Sequence, residues 1–145
     1  MNTGDILILL VTIIALIWTI YNNAREVSML RKQMELTFYT DYTKRYQEII
    51  LNFPENINEC DFDFKKLDRI IYNKTMRYMR AYFDLCSEEY DLAKKGLIGQ
   101  ETWKDWEEGI AFALKKPAFK QAWLKVESDT VYYKDFGKWV RDNLS

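Results

Sequence analysis

The chain has no histidine. With it go the commonest general base, the usual activator of a serine or cysteine nucleophile, and most transition-metal sites. Any catalysis would have to rest on carboxylates. Glycine and proline are scarce, five and two in 145 residues, too few turn formers to punctuate a many-stranded sheet, and helices are favoured on that count alone. No lysine or arginine precedes Arg25, so all 21 bases, and every acid of the 22 except Asp5, lie from that residue on. The remainder is formally neutral, which excludes generic nucleic-acid binding, where a positive excess supplies the affinity.

What fills the uncharged start is an apolar run. From Ile6 to Tyr21 there is no charge, and Thr3, Gly4 and Asn22 extend the stretch to about 20 residues, or ~30 Å of helix, just enough to span a bilayer. A cleaved signal would want basic residues ahead of the run and a small-x-small site behind it, whereas Asp5 stands ahead and Tyr21-Asn22-Asn23-Ala24 follows. The run therefore reads as a membrane anchor over residues 1–24, in contact with lipid through residues 6–21. Arg25, Arg31 and Lys32 come directly after it and predict that the following chain stays in the cytoplasm, N-terminus outside. Trp18 and Tyr21 suit an interfacial anchor. In that reducing compartment Cys60 and Cys86 are expected as free thiols.

Beyond the anchor, the pattern predicts an all-α protein. A juxtamembrane helix over residues 25–53 carries Val27, Leu30, Met34, Phe38, Tyr42, Tyr46, Ile49 and Phe53 at spacings of three and four. It ends at Pro54, and a helical bundle over residues 54–145 packs against it. After the loop "FPENINECDFDF", a second helix is expected from Lys65 to a left-handed cap at Gly96, with Leu67, Ile71, Tyr78, Tyr82, Leu85 and Leu92 inward. A third, over about residues 100–115, presents Trp103, Trp106, Ile110 and Leu114, with Thr102-x-x-Asp105 resembling a capping box. A fourth starts at Pro117. Ser128-Asp129-Thr130 offers a cap for a last helix with Tyr132, Phe136, Trp139, Val140 and Leu144 inward.

Two groups of residues bear on chemistry. Glu89 falls in line with Tyr82, Leu85 and Leu92, so it is expected to be a buried structural carboxylate held by hydroxyl or indole donors. The charge is also uneven: residues 84–108 carry eight acids against three lysines, and residues 115–145 seven bases against four acids. Lys115, Lys116 and Lys120 are expected to belong to an internal or intersubunit interface with a complementary acidic surface; the alternative is an anionic-ligand site that they form beside Arg77 and Arg80. Glu88-Glu89 and Glu107-Glu108 as a di-metal cage lack the Glu-x-x-His pairs that such cages use. Gly96 and Gly99 match no phosphate-loop spacing. No cofactor is implied.

From Tyr78 the stretch "YMRAYFDLCSEEYDLAKKGLIGQETWKDWEEGIAFALKKPAFKQAW" carries Cys86, Glu88, Glu89, Tyr90, Leu92, Gly96, Trp103, Trp106, Pro117, Phe119 and Trp123. In that pattern it resembles an uncharacterised family of small bacterial membrane-anchored helical proteins. The resemblance implies bacterial origin, hence an inner-membrane protein, an N-terminal span and a helical cytosolic domain, and supplies no catalytic residue. The expectation is a non-enzymatic membrane-tethered interaction or sensor module, self-associating or binding a cytoplasmic protein or anionic small molecule. The alternative is an oligomeric membrane effector of anti-phage defence gated by a nucleotide signal.

Overall fold

A computed structural model describes residues 2–144. Every regular element among them is a helix: α1 (Thr3–Ile50), α2 (Arg69–Lys94), α3 (Gln100–Leu114), α4 (Pro117–Ser128) and α5 (Lys134–Leu144), with 3-10 turns at Glu55–Asn58 and Phe64–Lys66. The chain divides into two compact units, residues 1–37 and residues 38–145, so the division falls inside the expected juxtamembrane helix rather than at its ends.

The first unit is the greater part of α1. It carries the one helix among the described residues that is long and apolar enough to cross a membrane, and none of the apolar window is buried against protein. Continuity follows from composition, since no proline interrupts α1 and the hydroxyls of Thr12, Thr19 and Thr37 bond back to carbonyls four residues earlier instead of competing for new partners.

In the second unit α2 is central and packs against α3, α4 and α5. That position explains where its sequence pattern misleads. A helix covered on several sides has no single apolar stripe: Thr75, Met76, Met79, Phe83 and Cys86 are buried along with the expected Tyr82 and Leu85, whereas Ile71 is 44% exposed. Rings fill the centre, with Phe83 5.1 Å from Trp123 and Trp123 5.4 Å from Phe136 in edge-on contacts, each contributing about 0.5–1.5 kcal/mol beyond area burial.

Helix ends differ from expectation by local chemistry. α2 begins at Arg69, not Lys65, because Asp68 caps it by accepting from the amides of Ile70 and Ile71. Residues 64–66 form a separate turn capped by Asp63. α3 is entered through Gly99, so Thr102 sits inside the helix rather than at its cap. Ser128 belongs to the end of α4, and α5 begins only at Lys134, which leaves Tyr132 67% exposed and buries Tyr133 instead. The inward orientation expected of Leu144 lies outside the described residues. Gly96 does take the left-handed cap (φ 66°), and Pro117 opens α4.

Candidate functional site

Two adjacent carboxyls on α2 reach opposite electrostatic states. Glu88 accepts a forked contact from Arg45 on α1, at 2.6 Å and 3.3 Å, and the Tyr42 hydroxyl donates to the same carboxylate at 3.0 Å. The Arg45 hydrogen bond holds the Glu88 carboxyl below its ordinary range, partial burial opposing. Burial and the Glu88 carboxylate push the Tyr42 hydroxyl up to about 12. Glu88 is thus a fixed anion.

Glu89, one residue on, is 6% exposed and receives no hydrogen bond or ion pair among the described residues. Burial raises its pKa from 4.5 to about 8; Arg45 works against the rise and the Glu88 charge adds to it. At neutral pH it is mostly the neutral acid. The donors expected to hold it are not there. Hydroxyl-bearing Tyr42 is committed to Glu88, and the indole of Trp106 lies in the same cavity wall without reaching the carboxyl.

That wall is contributed by three helices. A cavity of about 160 Å³ is lined by Tyr42 and Tyr46 of α1, by Tyr82, Cys86 and Glu89 of α2, and by Asp105, Trp106 and Gly109 of α3. Tyr42 stacks on Trp106 at 5.6 Å, and Tyr46 meets Tyr82 at 6.4 Å. No fully occluded side-chain oxygen among the described residues lacks a partner, so the oxygens of Glu89 reach accessible space, and the space beside them is this cavity. Burial pushes the Cys86 thiol and the Tyr82 hydroxyl up as well, which keeps both neutral.

The five predicted cations do not form one cluster. Lys115 and Lys116 stand at the α3–α4 junction, where the Lys116 ammonium bonds to the Asn58 side chain at 2.7 Å and lies over the Phe112 ring; Lys120 is exposed on α4. Arg77 and Arg80 line a separate groove of about 390 Å³, joined there by Lys125, a residue the sequence reading did not single out. Arg80 pairs with Asp129, and the Lys125 ammonium sits 2.7 Å from the Tyr72 hydroxyl. A wider concavity of about 760 Å³ at Arg45, Asp84 and Glu88 presents groups already satisfied, since Asp84 accepts from the Tyr133 hydroxyl. Among the described residues no three His, Cys, Asp or Glu gather as metal ligands, and both cysteines are free thiols.

Fold and site together define an all-helical protein with one helix fit to cross a membrane and a small aromatic cavity holding an unpaired acid. No family model matches the sequence, no curated protein matches it, and no solved structure matches the fold.

Proposed function

We propose that the chain is a non-enzymatic, membrane-tethered sensor module whose bundle takes up a small ligand in the Glu89 cavity. The observation that carries this reading is the unpaired, buried Glu89 carboxyl opening onto a walled cavity. The carboxyl has no protein partner while its oxygens reach accessible space beside the cavity, so a ligand lodged there can complete its bonding. Helix α1 carries both the apolar run and Tyr42 and Tyr46 of the cavity wall, so one element connects anchor and site along the chain. The absence of histidine and the commitment of Glu88 to Arg45 support the non-enzymatic reading. The bases that follow residues 6–21 support a cytoplasmic bundle with the N-terminus outside.

A second reading, an oligomeric membrane effector gated by a nucleotide, is supported by the convergence of Arg77, Arg80 and Lys125 on one groove. Native mass spectrometry of the full chain extracted from membranes in mild detergent separates the two. A small molecule retained by the wild type and lost from Glu89→Gln supports the first. A nucleotide retained by Glu89→Gln and lost from Arg77→Gln supports the second, and a chain that stays in the soluble fraction on cell lysis sinks both.

A further inference from the structure

The cavity specifies what it can hold. Its volume of about 160 Å³ equals that of roughly five waters at ~30 Å³ each, so its occupant is a small molecule or a small head group. Four of its residues, Tyr42, Tyr46, Tyr82 and Trp106, offer aromatic rings. Two others, Glu89 and Asp105, offer carboxyls, and Arg45, whose charge acts on Glu89, is paired with Glu88. Rings and carboxylates both attract positive charge, the chemistry that recognises ammonium groups; the Tyr42 ring already carries the Arg45 guanidinium 5.1 Å from its centroid and stacks on Trp106, so Tyr46, Tyr82 and the far face of Trp106 are what remain for a ligand. The surrounding segment is acidic in the same sense: residues 84–108 hold eight acids against three lysines, a field that draws cations toward its concavities.

A second position in the same wall offers a probe of an occupant. Gly109 lies inside α3, where glycine is less favourable than alanine by roughly 0.5–1 kcal/mol. A Cβ built there meets no atom within 4 Å. Nothing in the protein forbids alanine: Gly109 is exposed at the rim of the cavity, and a methyl there meets open space.

We propose that the cavity formed by Tyr42, Tyr46, Tyr82 and Trp106 around Glu89 binds a small organic ammonium ion, a methylated amine or quaternary ammonium head group, with Glu89 as its counter-ion. This names the ligand class of the sensor module and rests on that reading. The bound cation favours the ionised carboxylate, so binding releases a proton from Glu89. The other titratable groups facing Glu89 do not compete. Tyr42, Tyr46, Tyr82 and Cys86 have raised values, Glu88 is lowered and paired with Arg45, and Asp105 is exposed at the rim.

The test is calorimetric titration of the full chain in detergent with tetramethylammonium chloride, and with its neutral isostere neopentane-type alcohols, against a sodium chloride blank. Saturable binding of the ammonium is expected, weakening roughly tenfold per pH unit below the Glu89 value of about 8 and levelling above it. Glu89→Gln keeps the shape of the neutral acid and should abolish binding without changing the circular dichroism; Trp106→Leu should weaken it at least tenfold. Binding of the alcohol in preference to the ammonium overturns the ligand class and leaves the sensor reading standing, as does a neutral or anionic molecule co-purified in the cavity. Ammonium binding that is indifferent to pH or retained by folded Glu89→Gln overturns the role of Glu89, and no saturable heat from the folded wild type overturns the proposal outright.

An independent observation on α1 carries a second inference. Ile6, Ile13, Ile20, Val27 and Met34 recur every seven residues, and Leu9, Leu16, Asn23, Leu30 and Thr37 follow each by three. All ten are exposed along one helix within residues 1–37. Four of the five first positions are β-branched and three of the five second positions are leucine, the pattern of the seam of a parallel two-stranded coiled coil. In that register Glu26 and Arg31 occupy flanking positions that pair between strands, with opposite charge. We infer that a second copy of this chain covers this face in parallel, the only orientation open to two copies anchored in one membrane with the same topology. In a Cys60→Ser background, Leu30→Cys should oxidise to a disulfide dimer much faster than Lys32→Cys on the outer face. Glu26→Lys should weaken the dimer severalfold and Glu26→Lys/Arg31→Glu should restore it. Equal cross-linking at positions 30 and 32, or a charge swap without rescue, overturns the inference.

Discussion

Glu88 and Glu89 are neighbours in sequence and differ by about 100° around α2, yet one is an anion clamped by a guanidinium and a phenol while the other is a neutral acid facing a cavity. The difference shows that burial alone does not decide the state of a carboxyl. Glu88 is half-buried and stays charged because Arg45 and Tyr42 replace its water; Glu89 is 6% exposed, has no protein partner and holds its proton.

The pair therefore shapes the pH dependence from both sides. The value of Glu89 is raised in the folded state, so the native protein binds the extra proton: its contribution is complete near pH 4.5 and is lost as pH rises, levelling off above about 8. The value of Glu88 is lowered, so its contribution is present above the ordinary carboxylate range and lost as pH falls through its folded value. A stability maximum in mildly acidic solution is expected from chemical denaturation of the full chain in detergent. Glu89→Gln should remove the alkaline decline between pH 5 and 8, an effect on the order of several kcal/mol at its upper end. A decline that survives the substitution would break the contrast between the two acids.

Next in size is the other half of the pair. Arg45→Gln leaves Glu88 with Tyr42 alone and removes the charge that moderates Glu89. Both partners of the ion pair are about two-fifths exposed, so after solvent screening the loss is about 1 kcal/mol. The sharper readout is carboxyl titration by nuclear magnetic resonance, where Glu88 should move up toward its ordinary range and Glu89 should rise further.

A smaller effect of opposite sign is expected at the cavity wall. Gly109→Ala should stabilise the bundle by about 0.5–1 kcal/mol, because a methyl there meets open space and alanine is the better helix former. A higher melting temperature together with weaker tetramethylammonium binding would tie that glycine to the ligand. Smallest is the triple change Lys115→Gln, Lys116→Gln, Lys120→Gln, which removes one hydrogen bond to Asn58 and one contact with Phe112. It should shift stability by less than about 1 kcal/mol, and binding of anions to the Arg77 groove should be unaffected.

Much of this was legible in the sequence. The all-helical class, the apolar helix, the breaks at Gly96 and Pro117 and the burial of Glu89 all follow from local pattern, because each is set by residues within a few positions of one another. The inward side of α2 was not: Met76, Met79 and Phe83 are buried by helices distant in sequence, and a single stripe cannot represent a surround. For the same reason Lys125 was missed as a companion of Arg77 and Arg80, and the partner of Glu88 was not anticipated. Arg45 lies 43 residues away, and only the tertiary fold brings its guanidinium to α2. The aromatic rings of the cavity were read as core because a cage and a core use the same residues at the same spacing. What separates them is the unfilled volume between them.

The two thiols make the chain its own reporter. Cys60 is exposed on the segment between α1 and α2, and Cys86 is buried in the cavity wall next to Glu89. A maleimide dye should take one equivalent at once, giving a site-specific fluorescent handle without engineering. The slow second equivalent, arriving only when Cys86 is uncovered, would clock the opening of the bundle, and a compound lodged beside Glu89 would be seen as a delay in that clock.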